Sequence, residues 1–282
     1  MKKKGYLAIV LGITGNWAFT AGTILIGLKH HLKIEEYDVI IYQQNLLKKD
    51  ADCLMKIHPC IFNQYKFRNI NVPMDKFKRV SEMAFSRFEC FDLLDDYKNV
   101  IWIDVDALIL KDFSNIINNL NNGIGMYPHQ NTPISVSFSN SVPGYNMQAE
   151  CFNSGIIFLN DSLVKRKFLS DWCYSSVEKH IKYISSDQAI INLMLQEFDI
   201  KPKEIAVKYN CPPSSETEDT VIVHPWGNRK FWNDIYHPVW EGYFQKWRKM
   251  GGSSTIVDAY FLRRAKILFK AMKRKIKKEV FK

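Results

Sequence analysis

The sequence predicts an α/β protein, a Rossmann-like mixed sheet flanked by helices with a basic helical appendage at its C-terminal end. Three observations carry that expectation. The chain opens as strand, helix, strand; a later apolar strand ends in two acids; and 282 residues at 46% apolar and 24% charged suffice for one large domain with a real core. That composition excludes global disorder, collagen and coiled coil.

The elements follow in order. Tyr6 to Ile13 is a continuous apolar run, as expected of a strand buried on both faces. Asn16 to Lys33 places Phe19, Ile24, Leu25, Leu28 and Leu32 at helical spacing, and Tyr37 to Tyr42 is strand-like again. Ligands of parallel sheets sit beyond the carboxyl ends of the strands, so the Thr14 to Asn16 turn marks the ligand end. Ser81 to Leu94 reads as helix and Asn99 to Asp104 as strand. Pro128 to Tyr145 turns to Ser, Asn and Pro with little periodicity, which predicts a long loop of the kind that usually has a function. Phe152 to Leu159 is strand, Ser185 to Glu197 helix, and Val221 to Val223 a short strand running into His224.

The main domain is expected over residues 1–235, followed by an aromatic helical segment with a Gly/Ser joint (236–258) and a basic amphipathic tail (259–282). Trp240, Tyr243, Phe244 and Trp247 share one helical face, so core packing is preferred to ligand stacking for them. Gly251 to Ser254 reads as a flexible joint. The tail holds ten Lys/Arg against Glu279 alone, a net of +9 out of the chain's +10. The rest of the chain is near neutral, which argues against specific nucleic-acid binding and confines any anion-seeking surface to the last 24 residues. Apolar residues interleaved with those cations form the pattern of a helix lying on an anionic membrane surface. A solvated basic helix is the plainer alternative.

The six cysteines form no CxxC pair, so free thiols in a reducing compartment are expected. The basic start and short apolar run imitate a signal peptide without a cleavage pattern, and no stretch approaches the ~20 apolar residues of a membrane span. The expected location is cytoplasmic, with peripheral attachment to the inner membrane leaflet through the tail.

Ile101-Trp102-Ile103-Asp104-Val105-Asp106 is the strongest chemical signal. Alternate side chains of a strand point the same way, so Asp104 and Asp106 are expected to present two carboxylates on one side. Neighbouring anions repel unless a cation lies between them, which points to a divalent metal. Two surface acids at a loop start are the bland alternative. An apolar strand ending in Asp-x-Asp also fits the haloacid-dehalogenase-like phosphotransferases, with Asp104 as nucleophile. That family places the motif after its first strand, whereas a full β-α-β unit precedes it here.

Three further segments join the Asp-x-Asp strand. Phe152-Asn153-Ser154-Gly155, Asp187-Gln188-Ala189-Ile190-Ile191-Asn192 and His224-Pro225-Trp226-Gly227-Asn228-Arg229-Lys230 follow in order, with Arg87 seventeen residues before Asp104. Together they resemble the retaining glycosyltransferases of family 8, related to glycogenin and the lipopolysaccharide galactosyltransferases. The resemblance runs from residue 6 to about 235 and implies the type A glycosyltransferase fold. It also implies transfer of a hexose from a UDP-sugar donor to a glycan or glycolipid acceptor.

By the same resemblance His224 would join Asp104 and Asp106 as metal ligands. Two carboxylates and an imidazole suit Mn²⁺, with Mg²⁺ as second choice. Lys230 would neutralise the pyrophosphate as a point charge, and Gly227 would let backbone approach it. The alternative for both is an ordinary turn with a solvated lysine. Arg87, Asn153, Ser154, Asp187 and Gln188 would surround the sugar, Asp187 and Gln188 as the catalytic pair; a helix cap after Ser185 is their plainer explanation. In the first loop Asn16 and Phe19 match residues that hold the base in the family, while Thr14 stands where an Asp is often found. A non-enzymatic protein acting through its tail on membranes or RNA is the remaining alternative.

Overall fold

The first strand sets up two cores at once. Strand β1 (Gly5–Thr14) sends Leu7, Ile9, Leu11 and Ile13 into one apolar cluster and Ala8 and Val10 into another, so both its faces are buried. The computed structural model describes residues 4–68, 81–120, 123–164 and 166–254, together with 265, 269 and 273. After a 3-10 turn at Gly15–Trp17 come α1 (Ala18–His31), β2 (Asp38–Gln44), α2 (Lys48–Ile57) and β3 (Cys60–Gln64). A 3-10 segment, Glu82–Phe88, leads into α3 (Glu89–Leu93), β4 (Tyr97–Ile103), β5 (Leu108–Ile109) and α4 (Ser114–Asn118). The second half contains β6 (Ile124–Pro133), β7 (Glu150–Asn160), α5 (Arg166–His180), α6 (Asp187–Glu197), β8 (Lys203–Glu204), β9 (Ile222–Val223) and α7 (Pro238–Lys249).

Seven strands form one sheet in the order β3-β2-β1-β4-β7-β6-β8, and β5 pairs with β9 in a small second sheet. All neighbours in the large sheet are parallel except where β7 runs against β4 and β6, so the sheet is mixed as expected. The chain moves outward from β1 to β3 and then returns to β4 on the other side of β1. Strand order reverses there, and the carboxyl ends of β1 and β4 flank a natural crevice. Helices α1, α2 and α7 cover one face; the 3-10 segment, α3, α5 and α6 cover the other.

Several expectations change. The long loop from Pro128 begins as strand, because β6 continues to Pro133. Ser81 to Leu94 is mostly 3-10 rather than α-helical. The aromatic segment packs as predicted: Trp240, Phe244 and Trp247 are buried, and the Trp247 ring lies over Gly22 of α1, where a β-carbon would come within 2.3 Å of it. The Gly251 to Ser254 joint is tied down. Ser253 N donates to Asp50 Oδ1 at 2.7 Å, and its carbonyl accepts from Trp247 Nε1 at 2.8 Å. The tail expected over residues 259–282 lies outside the described residues apart from 265, 269 and 273. Among the described residues no helix is long and apolar enough to cross a membrane. All six cysteines are free thiols.

Candidate active site

A cleft of about 280 Å³ opens at the carboxyl ends of β1 and β4. Gly12 and Thr14 line it from β1, Arg87 from the 3-10 segment, and Trp102, Asp104 and Asp106 from β4 and the turn after it; Lys230 and Trp232 close it from the C-terminal side. The position is the one that the reversal of strand order selects.

The acid pair converges by a different route from the one expected. Strand β4 ends at Ile103, and Ala107 N donates to the Asp104 carbonyl at 2.9 Å, so residues 104–107 form a turn. A turn, not strand alternation, brings the two carboxylates together. Strand β7 holds it in place, since Asp104 N donates to the Gly155 carbonyl at 2.7 Å.

His224 reaches the pair from the end of β9. Its Nε2 lies 3.2 Å from Asp106 Oδ1 and 3.7 Å from Asp104 Oδ2. One ligand atom from each of the three residues falls within 4.8 Å of the others. The ring rests on Gly155, where a β-carbon would come within 2.0 Å of His224 Cε1; only glycine leaves room for it. Asp106 is buried, and its Oδ1 accepts no hydrogen bond despite the nearby imidazole. Hard carboxylate oxygens, one borderline nitrogen and a buried carboxylate oxygen that accepts no hydrogen bond fit a divalent cation of the Mn²⁺ or Mg²⁺ class. Lys230 bonds to Asp106 Oδ2 and to the Pro225 carbonyl. Burial alone would raise the Asp106 pKa, but His224 in its protonated form and Lys230 outweigh it and hold the carboxyl at about 2.

Arg87 is buried and joins the two halves of the site. It donates to Ala84 O at 2.9 Å, Ser154 O at 2.6 Å, Ser154 Oγ at 2.7 Å and Asp104 Oδ1 at 2.9 Å, and its Nη1 lies 2.8 Å from Asp187 Oδ2. Burial pushes the Asp187 pKa up; Arg87 pulls against it and Asp104 adds to it. Gln188 Oε1 accepts from Ser154 N at 3.2 Å while its Nε2 donates to Cys151 Sγ at 3.2 Å. Asp187 is at the same time the acid in the first turn of α6, whose cap residue Ser186 makes no side-chain cap bond.

Two expected positions differ. Phe19 is wholly buried against Trp17, Trp232 and Phe244, so it is a packing residue and does not face the cleft. Asn153 spends its side-chain oxygen inside the protein, accepting from Gly155 N at 3.0 Å and Asn210 Nδ2 at 2.9 Å. Thr14 lines the cleft, Asn16 is exposed on the turn after β1, and Gly227 has a left-handed φ of 75° in an exposed turn.

Sequence reasoning missed four residues. Trp17 and Trp232 line the cleft with ring centroids 5.1 Å apart. Trp102 donates to Asp104 Oδ1 at 2.7 Å and lies under the Arg87 guanidinium at 5.0 Å. Asn210 is fully buried beside His224, with Oδ1 2.9 Å from His224 Nδ1. Trp102 stands inside the Asp-x-Asp strand and Trp232 two residues past the His224 to Lys230 segment, and in the sequence both read as ordinary apolar residues. Trp17 directly follows Asn16, and its exposure depends on where α1 begins. Asn210 carries no local signal.

The family model of glycosyl transferase family 8 matches residues 8–236, and the chain belongs to that family. It is therefore a glycosyltransferase with the type A fold. Solved structures agree on the fold. The bifunctional glycosyltransferase WbbM, in its apo form, superposes with a TM-score of 0.63 at 16% identity, over 89% of this chain and 52% of that one. The galactosyltransferase LgtC, in complex with donor and acceptor sugar analogues, gives 0.61 at 16% identity over 89% and 98%. The glycosyltransferase GlyE of Streptococcus pneumoniae TIGR4 gives 0.59 at 15% identity over 87% and 62%. The chain thus spans about half of WbbM and nearly all of LgtC. No curated protein matches it. Family membership removes the ground for the phosphotransferase and for a purely tail-mediated, non-enzymatic role.

Proposed function

We propose that this protein is a retaining hexosyltransferase that moves a hexose from a UDP-sugar to a hydroxyl of a glycan or glycolipid. The observation that carries the reading is the meeting of Asp104, Asp106, His224 and Lys230 at one side of a cleft whose other residues suit a nucleotide and a sugar. Asp104, Asp106 and His224 would hold a divalent cation, Mn²⁺ before Mg²⁺, which when bound supplies Lewis-acid stabilisation of the diphosphate charge.

The chain's own residues supply the rest. Lys230, now paired with Asp106, offers a point charge to the diphosphate beside the turn at Gly227. Trp17 and Trp232 offer aromatic faces to the base, with Thr14 and Asn16 at its edge. Arg87, Asp187, Ser154 and Gln188 orient the sugar through charged and amide groups, with Asn153 bonded to the Gly155 backbone behind them. In the front-face scheme the bond from the anomeric carbon to the phosphate oxygen breaks as the acceptor oxygen bonds to that carbon on the same side. The acceptor's proton passes to the departing phosphate, and Gln188 and Asp187 stabilise the oxocarbenium-like centre. The fold shared with LgtC, a galactosyltransferase seen with donor and acceptor sugar analogues, supports this division of the cleft.

The test is a panel of UDP-sugars assayed for Mn²⁺-dependent hydrolysis and transfer. One hexose donor is expected to be consumed, with activity lost in EDTA and restored by Mn²⁺. Full activity in EDTA, or a nucleoside diphosphate other than UDP as the sole carrier, overturns the reading. Gln188→Ala is expected to lower kcat far more than UDP affinity and Lys230→Ala to weaken UDP binding itself; the opposite pattern contradicts their roles.

The reading includes the cytoplasmic face of a membrane as the place of work. Ten cations interleaved with apolar side chains over residues 259–282 support attachment to an anionic surface, at about 1 kcal/mol for each cation engaged. Sedimentation with anionic but not neutral vesicles, lost in a chain ending at Ser254, is expected. Equal sedimentation by both chains refutes the attachment.

A further inference from the structure

The cation site has a buried support that the motif residues alone do not reveal. Three groups form a line behind His224: the Gly155 backbone N–H, Asn153 and Asn210. Asn153, Asn210 and His224 are each buried, and Asn210 has no exposed surface. Buried side-chain amides are paired with neighbouring groups, and here the protein itself supplies those partners.

The orientation of every group in the line is determined by donors that cannot reverse. The Gly155 N–H can only donate, so the atom facing it at 3.0 Å is the Asn153 oxygen. That oxygen also faces an Asn210 side-chain atom at 2.9 Å, which must then be the Asn210 nitrogen. The Asn210 oxygen points the other way. The Trp226 indole N–H, also donor-only, reaches that same oxygen at 3.1 Å, an independent check on the assignment. His224 Nδ1 lies 2.9 Å from it and must carry a proton to bond to it. In the neutral imidazole the remaining nitrogen, Nε2, then holds the lone pair. It is directed at Asp106 Oδ1 and Asp104 Oδ2, 3.2 and 3.7 Å away. A lone pair facing two carboxylate oxygens is repulsive by itself and becomes favourable when a cation lies among them.

We infer that Asn210, oriented through Asn153 by the Gly155 backbone, is a positioning residue that keeps His224 in the Nδ1–H tautomer and so makes Nε2 available as a metal ligand. The metal part of this inference rests on the cation site proposed above; the tautomer part does not. Asn210 lies fourteen residues before His224 and far in sequence from Asn153, so only the fold assembles the line. Loss of a partner of this kind typically weakens metal binding by about 10- to 100-fold.

The experiment uses the full chain, metal-free and labelled with ¹⁵N-histidine, with the His224 signals identified by comparison with His224→Gln. Long-range ¹H–¹⁵N spectra report the tautomer, Mn²⁺ titration followed by electron paramagnetic resonance reports affinity, and thermal unfolding reports integrity. At a pH where the imidazole is neutral, wild type is expected to show the Nδ1–H form. Asn210→Ala is expected to shift the ring toward Nε2–H and to raise the Mn²⁺ dissociation constant about 10- to 100-fold. Asn210→Asp retains an acceptor for Nδ1–H and is expected to keep the tautomer and to bind Mn²⁺ better than Asn210→Ala.

An Nε2–H ring in the wild type, or an unchanged tautomer and affinity in Asn210→Ala, overturns the inference. If Asn210→Ala does not fold, an Nε2–H ring in Asn210→Asp overturns it instead. Should the wild type show the Nδ1–H ring yet bind no Mn²⁺, the cation reading fails while the positioning of His224 stands.

Discussion

Asp106 is the residue on which most of the site's electrostatics converge. It faces His224 and Lys230 from a buried position, and one of its oxygens accepts no hydrogen bond. Replacing it with Asn removes one charge at nearly constant volume. Transfer is expected to fall by roughly 10²- to 10³-fold, the usual effect of deleting one transition-state electrostatic group, measured as kcat at saturating donor and Mn²⁺. Stability has its own sign. The folded pKa of about 2 is below the usual 3.8, so the ionised carboxyl stabilises the fold above about pH 4 and that contribution is lost as pH falls toward 2. Thermal unfolding of the metal-free proteins is therefore expected to separate wild type from Asp106→Asn near pH 5 and to bring them together near pH 2. A constant gap across that range counts against the pairing.

At the scale of elements, β7 is the strand that assembles the site. It runs against β4, bonds to the Asp104 turn through the Gly155 carbonyl, and leaves room for His224 over the same glycine. Gly155→Ala would drive a methyl into the imidazole, since no shift of a flexible side-chain end relieves a contact to a ring packed on backbone. Mn²⁺ binding is expected to be lost, with a stability cost of about 1–3 kcal/mol typical of overpacking, read by titration and by thermal unfolding. Helix α7 makes a separate test. Trp247 is fully buried over α1, and Trp247→Ala is expected to cost about 3–5 kcal/mol in denaturant unfolding. A loss below 1 kcal/mol would mean that α7 is not part of the core.

For the whole molecule, the cleft lies where β1 and β4 diverge and where the C-terminal segment returns with Lys230 and Trp232. Ligands that bind only the folded state raise its stability by mass action, about 2.7 kcal/mol at 100 times the dissociation constant. UDP and Mn²⁺ together are expected to raise the melting temperature more than the sum of each alone, because the diphosphate and the acid cluster would share one cation. Strictly additive shifts in a differential scanning experiment contradict that sharing. The same comparison in Asp106→Asn is expected to lose the excess.

Features that repeat along the chain, or that are local, are legible in the order of the amino acids. Apolar runs marked β1, β4 and β7 because strands buried on both faces need no polar alternation, and the aromatic face of α7 was legible because its spacing is helical. The motif segments named Asp104, Asp106, His224, Lys230 and Arg87, all of which meet at one cleft or its wall. Other features exist only in the folded chain. Phe19 and Trp17 are two residues apart with the same chemistry, and only the packing of α1 against Trp232 and Phe244 buries one and exposes the other. The acids converge through a turn whose hydrogen bond to Gly155 comes from a strand about fifty residues away, and Asn210 becomes a partner of His224 only when the Cys211 segment bonds alongside β9. Periodicity is a property of consecutive residues and survives in the sequence. Proximity between distant segments is set by sheet order and by hydrogen bonds that form only in the folded chain.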